Sequence, residues 1–257
     1  MLGSAGFYTG VLITVIGLGL MIRPIPRLGI RTRARAAVVT ATGVLAGAGA
    51  LHLPAIETRA ASPSTRLDEV APAWQFREFH DRRIAAPPAE VYAALRRVRA
   101  DDILWFQTLT WIRRGGREVP PSILNAGTDR PILDVALSSG FVLLFDDSPR
   151  EMVIGTVVDA PPGAARIRRA EIIRNPPPGY SVGTMNFRLV PDGTGTRLST
   201  ETRVFSNGRE TTRRFARYWR VIYPGSAVIR RMWLRAIENG VAAESSRMRG
   251  DARQTRR

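Results

Sequence analysis

The chain of 257 residues has no cysteine, no lysine and two histidines, His52 and His80. Without cysteine it has no disulfide, no zinc–thiolate site and no cysteine nucleophile. Two histidines do not build a multi-histidine metal centre, so neither a metal nor a cofactor is expected. The missing cysteine does not fix the compartment. The missing lysine makes all 38 basic residues arginine, and a GC-rich genome is the ordinary cause.

The arginines are unevenly placed. Residues 23–35 carry five and no acid, and residues 209–257 carry thirteen against four acids. These two stretches supply 14 of the 16 net positive charges. Basic proteins are drawn to nucleic acid or to anionic lipid. Here the first stretch abuts apolar segments, which points to a membrane. No nucleic-acid-binding motif is present, and the aromatics do not interleave with arginine, so no nucleic-acid partner is expected.

Residues 2–22 carry no charged side chain. At about 1.5 Å per residue such a run matches a hydrocarbon core of about 30 Å. A second uncharged run, 36–53, is richer in Ala and Gly. Gly6/Gly10 and Gly43/Gly47 have the small-xxx-small spacing that lets two helices approach closely. The first run lacks a positive leader and a small-residue cleavage site before Arg23-Pro24, so it reads as an uncleaved helix rather than a signal peptide. The sequence thus predicts a transmembrane helical hairpin over 1–53. Its loop 23–35 stays cytoplasmic by the positive-inside rule, and the remaining chain lies outside the cytoplasm. Should the second run not insert, the domain is cytoplasmic instead.

Residues 54–73 mix Pro, Ser, Ala and charge, and read as a tether. A soluble domain is expected over 74–245. It opens with a strand at 74–84. Pro87-Pro88 starts a helix with Val91, Leu95 and Val98 on one face. Asp101-Asp102 caps a second helix with Trp105, Leu109 and Ile112 on one face. Residues 113–131 read as a loop, followed by a helix over 132–139 ending at Gly140. Strands are expected at 141–147, 151–159, 165–174, 179–191 and 196–206, with Asp192-Gly193 as a hairpin turn between the last two. Met185, Phe187 and Leu189 share one strand face and Thr184, Asn186 and Arg188 the other, the pattern of an antiparallel sheet with one wet face. A long amphipathic helix carries Phe215, Trp219, Ile222, Ile229, Trp233 and Ile237, with Pro224-Gly225 expected to kink or break it. The Arg-rich tail 246–257 reads as disordered.

That order, with IAAPPAEVYAAL, SSGFVLLFDD, GYSVGTMNFRLVPDGTGTRLSTETRVF and YWRVIYPGSAVIRRMWLRAI, resembles the START-like or SRPBCC superfamily over about residues 70–240. The last motif looks like the closing helix of an uncharacterised bacterial branch. The resemblance implies an α+β class with the helix-grip fold, an antiparallel sheet wrapped around a long C-terminal helix. It implies a cavity between sheet and helix for a lipid or other hydrophobic small molecule. A minority of such proteins catalyse cyclisation or dehydration, but none of their motifs maps onto this chain, and no catalytic residue is assigned.

Phe187, Trp219, Tyr223, Met232 and Trp233 are the candidate cavity-lining residues. Each taken alone reads as core, since apolar helical stripes usually are. His80 with Asp81, or Glu201, are the candidate acid–base groups, although Glu201 and Arg203 share a strand face and suit a surface ion pair. The arginine row of the last helix suits either anionic headgroups or solvent. The leading expectation is a membrane-anchored, non-catalytic domain binding a hydrophobic small molecule. A cyclase- or dehydratase-type enzyme and a membrane-tethered scaffold are the alternatives.

Overall fold

A computed structural model describes residues 2–25, 29–120, 122–164 and 170–254. The chain divides into two compact units: Met1–Ile56 with Thr212–Pro224, and Glu57–Thr211 with Gly225–Arg257.

In the first unit, α1 (Leu2–Ile22) and α2 (Arg33–His52) pack antiparallel. The Thr32 hydroxyl caps α2 by accepting from the Arg35 N–H, so the helix starts inside the arginine-rich loop rather than at Ala36. Close approach depends on glycine. A Cβ on Gly10 would lie 2.4 Å from the Gly47 nitrogen, and one on Gly43 2.5 Å from the Thr14 nitrogen. Gly17 meets Thr40 in the same way, with 2.6 Å to its backbone nitrogen. The small-residue spacing read from the sequence is therefore the packing seam, extended by Gly17. The outward faces stay apolar, with Leu12, Val15, Val38 and Leu45 exposed.

The 212–224 segment belongs to this unit. The Arg220 guanidinium donates to the carbonyls of Leu51 and Leu53 at the end of α2, where a cation satisfies orphan carbonyls and opposes the helix dipole. The Tyr8 hydroxyl donates to the Val221 carbonyl at 2.6 Å.

In the second unit, five antiparallel strands take the order β3-β7-β6-β5-β4. They are β3 (Phe76–Ile84), β4 (Val142–Asp147), β5 (Glu151–Asp159), β6 (Ser181–Asp192) and β7 (Gly195–Ser206). Asp192 pairs with Gly195 across the hairpin turn, where Gly193 has a φ of +62° that favours glycine. The expected strand at 165–174 is not formed in its described half. Ala170–Arg174 is helical (α7), and 165–169 lie outside the described residues.

The inner face of the sheet carries Met152, Ile154, Met185, Phe187, Leu189 and Leu198. Against it pack α4 (Pro88–Arg97), α6 (Ile132–Ser139) and the later turns of α8 (Arg209–Gln254). Val91, Leu95 and Val98 are buried as their spacing predicts. This is the α+β class with an antiparallel sheet against the long C-terminal helix. That helix continues through Pro224 and on to Gln254, so Pro-Gly does not end it and 246–254 are helical rather than a disordered tail. Pro224 instead coincides with the division between the units.

The outer face is wet only in part: Arg77, Phe79, Asp81 and Arg83 of β3 are exposed, but the middle of the sheet is covered. Thr184 and Asn186 are 2% and 4% exposed. The segment expected to be a tether covers this face. β1 (Thr58–Arg59) pairs with β2 (Ala73–Trp74), and α3 (Arg66–Val70) buries Leu67 and Val70 against Val153. A Thr65/Asp68 capping box fixes the start of α3. Pro, Ser and charge here build caps and ion pairs, not flexibility.

The second short helix, α5, also departs from expectation. It runs Phe106–Arg113 and buries Phe106 and Thr110. Trp105 and Ile112, read as its inward stripe, are 58% and 59% exposed. Asp102 accepts from the Arg99 N–H at 2.8 Å and caps a preceding turn instead of this helix.

Candidate functional site

The candidate site is the packed region where the inner face of the sheet meets the second part of α8. Its centre is apolar. Phe187 of β6 and Trp233 of α8 are each 1% exposed, with ring centroids 5.1 Å apart. Met232 packs against the same cluster. Full burial of such side chains stabilises the fold by roughly 1.5–3 kcal/mol apiece. One polar atom in this apolar region is unmatched: the Trp233 Nε1–H is buried and has no hydrogen-bond acceptor among the described residues. A buried donor left unpaired costs about 1–3 kcal/mol.

A polar edge borders this centre. In β3, Phe76, Glu78, His80, Arg82 and Ile84 alternate with outward neighbours, and Glu78 is 1% exposed. The two oxygens of Glu78 are both engaged. His80 Nε2 lies 2.9 Å from Oε1, and the Ser226 hydroxyl donates to Oε2 at 2.8 Å. Arg231 Nε donates to His80 Nδ1 at 3.4 Å, which makes Nε2 the protonated nitrogen facing the carboxylate. Arg230 lies over the Trp233 ring with its guanidinium carbon 5.6 Å from the centroid. Burial pulls the Arg230 guanidinium down to about 10, opposed by the nearby Glu78 carboxylate. It remains charged at neutral pH, beside the face of an indole whose N–H has no partner.

A part-buried contact also joins helix to sheet. The Tyr92 hydroxyl of α4 donates to Asp146 of β4. Burial, with this bond to a carboxylate, pushes the phenol up to about 12, so it stays a donor across the physiological range.

Three of the five cavity candidates, Phe187, Met232 and Trp233, are thus brought together. Trp219 and Tyr223 belong to the other unit, where their tilted rings lie with centroids 5.8 Å apart. The acid–base pairing also differs from expectation. His80 pairs with Glu78, two residues away on the same strand face, whereas Asp81 points outward to Arg197 at 3.5 Å. The period of two in FREFHDRR was the signal, since it places Glu78 and His80 together and Asp81 opposite.

Glu201 is not a surface residue. It is 8% exposed, held by Arg77 through bonds of 2.7 and 3.0 Å and by Arg203 at 2.7 Å. Burial works to raise its carboxyl, but the two guanidinium groups win and hold it below the usual range. It stays ionised. The same network includes Asp68 and Trp74 and lies on the outer face. Beside it, Glu151 accepts from the Arg66 and Leu67 N–H groups at the start of α3 and from Asn186 at 2.6 Å.

Two outer-face hollows are present, of about 470 and 360 Å³. The larger is bordered by Arg66, Arg150 and Arg188 but also by Glu69, Asp147 and Glu151, so it has no single charge preference. Among the described residues no group of three or more His, Asp or Glu is placed to hold a metal ion.

No family model matches the chain, and no curated protein matches it. Solved structures similar to part of it include protein MLL2253 from Mesorhizobium loti. That pair is 16% identical over 65% of this chain and 98% of the other, with a TM-score of 0.30. CalU16 from Micromonospora echinospora is 14% identical over 66% of this chain and 86% of its own, with a TM-score of 0.23. The di-domain ARO/CYC BexL is 15% identical over 81% of this chain and 57% of its own, with a TM-score of 0.25. None reaches a TM-score of one half, and the fold class stands on the chain's own strand order and closing helix.

Proposed function

We propose that this protein is a membrane-anchored binding domain for a small apolar molecule that carries a hydrogen-bond acceptor, and that it is not a catalyst. The Trp233 indole N–H carries the reading: a buried donor with no acceptor among the described residues. Such groups are rare in native interiors and call for a partner. Arg230 over the same ring favours an acceptor with negative or partial negative charge. The packing of Phe187 against Trp233 limits the molecule to a slender one. Anchoring is supported by two helices long and apolar enough to cross a membrane, whose outward residues are exposed apolar side chains. By the positive-inside rule the domain lies outside the cytoplasm.

The test is native mass spectrometry of the full chain extracted in mild detergent, with alkaline extraction of its membranes beforehand. The expected result is a chain retained in the membrane pellet and carrying a bound small molecule. Trp233→Phe should lower occupancy about tenfold, as loss of one hydrogen bond to a charged or polar partner implies. A chain that carries no such molecule, with Trp233→Phe indistinguishable from the parent, overturns the reading.

One observation favours an enzyme: Glu78 and His80 converge on the inner face. Against it, both Glu78 oxygens and His80 Nδ1 already have protein partners, which suits a structural role. A cyclase or dehydratase would lose turnover of a bound substrate in His80→Ala while still binding it.

A further inference from the structure

The loop and helix over 103–117 present an apolar surface that the fold does not use. Leu104, Trp105, Trp111 and Ile112 are 56%, 58%, 55% and 59% exposed. Four large apolar side chains within nine residues are a concentrated patch, unlike singly scattered exposed residues, which need no explanation. Their exposure is built in. Trp105 has a φ of +65° and is the one described non-glycine residue in the left-handed region, a conformation costing about 1–2 kcal/mol. Gly116 packs beside the Trp111 ring, where a Cβ would lie 3.2 Å from Cζ2 at a φ of +71°.

Composition points to the occupant. Arg113, Arg114 and Arg117 follow the exposed indoles, with Asp101, Asp102 and Glu118 at the borders of the stretch. Tryptophan beside arginine is the composition of a membrane–water interface, where amphipathic rings sit at headgroup level. Chain length puts a bilayer within reach: α2 ends at His52 and β1 begins at Thr58. Five intervening residues span at most about 18 Å when extended.

We infer that 103–117 is a second, interfacial membrane contact. Leu104, Trp105, Trp111 and Ile112 enter the headgroup region of an anionic bilayer, and Arg117 meets its phosphates. This inference rests on the anchoring reading above, not on ligand binding. It assigns the tethered domain a membrane-facing side.

The absence of cysteine makes the test direct. The full chain with Ile112→Cys carries an environment-sensitive fluorophore and is reconstituted into vesicles of neutral lipid with one quarter anionic lipid. Arg188→Cys on the outer face of the sheet is the reference. The expected result is a blue-shifted Ile112→Cys probe, quenched by lipid brominated in the upper acyl chain, while the reference stays open to an aqueous quencher. Adding Arg117→Glu should raise the water-exposed fraction about fivefold or more with anionic lipid and little in purely neutral vesicles, since each basic residue near such a surface is worth about a factor of five.

Equal aqueous quenching of both probes, in protein that floats with the vesicles, overturns the inference while leaving the anchor intact. Protein that does not float overturns the anchor itself. Shielding that disappears when protein is diluted in excess lipid means a second copy of the chain covers the patch, which also overturns it.

Discussion

Nη2 of Arg203 lies 2.7 Å from Oδ1 of Asp68, with both side chains less than a tenth exposed. This contact joins β7 to the short α3 helix, 135 residues apart in sequence. Arg203 also donates to the Ala71 carbonyl at 2.8 Å and to Glu201, and stacks on Trp74 with its guanidinium carbon 4.0 Å from the ring centroid. All three guanidinium nitrogens have an acceptor, and one face lies on Trp74. It therefore holds the 57–74 segment on the outer face of the sheet. Removing one member of a buried ion pair leaves the other charged and unpaired, at about 3–5 kcal/mol. Arg203→Met should destabilise the second unit by that amount and open 57–74 to protease first. Arg203→Lys should recover less than half, because an ammonium cannot reproduce the fork. Denaturant titration of the full chain with limited proteolysis measures both. A cost for Arg203→Met under 1 kcal/mol contradicts the assignment.

The same network sets a pH dependence. Burial opposes ionisation of Asp68, but the Ser64 N–H, the Arg203 guanidinium and the Thr65 hydroxyl together hold its carboxyl well below the usual carboxylate range. Glu201 is also held low. For a group with a depressed folded pKa, the stabilisation is complete above the unfolded value, about 4, and is lost as pH falls through the folded one. Stability should be flat in these terms from pH 8 to 5 and fall steeply below about pH 4. Asp68→Asn should start lower and fall less. If wild type and Asp68→Asn lose stability in parallel between pH 5 and 2.5, the network does not carry the effect.

Periodicity made most of the fold legible. Alternation gave β6 and β7 with their hairpin, and helical spacing gave Val91, Leu95 and Val98 as core. Charge-free length gave α1 and α2. What periodicity missed depends on tertiary contact. Thr184 and Asn186 look like residues on a wet face, and nothing local says that Leu67 and Val70 will cover it. Trp105 and Ile112 look like a buried stripe, and only a helix start at Phe106 turns them outward. In the site, Phe187 and Trp233 were readable as apolar positions, but the solitude of the Trp233 N–H is a property of the surroundings. Trp219 shares a helical face with Trp233 by spacing, yet the Pro224 division assigns them to different units.

The α1–α2 seam gives a prediction with its own control. A side chain at Gly10 would have to displace the Gly47 backbone, whereas one at Gly19 or Gly49 would meet nothing within 4 Å. Gly10→Leu should therefore separate the helices and cost at least about 2 kcal/mol, as overpacking does. Gly19→Ala and Gly49→Ala should be neutral or stabilising by up to about 1 kcal/mol through helix propensity. Unfolding of the full chain in mixed micelles at rising SDS fraction ranks the three. Equal effects at all three positions would show that the helices do not meet along Gly10 and Gly47.

Trp233→Phe should cost much less than Phe187→Ala. Phe187→Ala removes a whole ring from a 1%-exposed position and should cost about 3–5 kcal/mol. Trp233→Phe also removes buried volume, but it takes with it a donor that has no acceptor. Relief of that unpaired N–H, about 1–3 kcal/mol, offsets much of the cavity term. The net cost should stay below about 1.5 kcal/mol in the ligand-free protein. With a bound acceptor the balance reverses, because the indole then contributes a hydrogen bond that Phe cannot make, and the parent gains stability that the variant does not. Denaturant titration of both variants, before and after extraction with organic solvent and refolding, separates these contributions. A Trp233→Phe cost above 3 kcal/mol in the stripped protein would mean that the N–H has a partner within the fold.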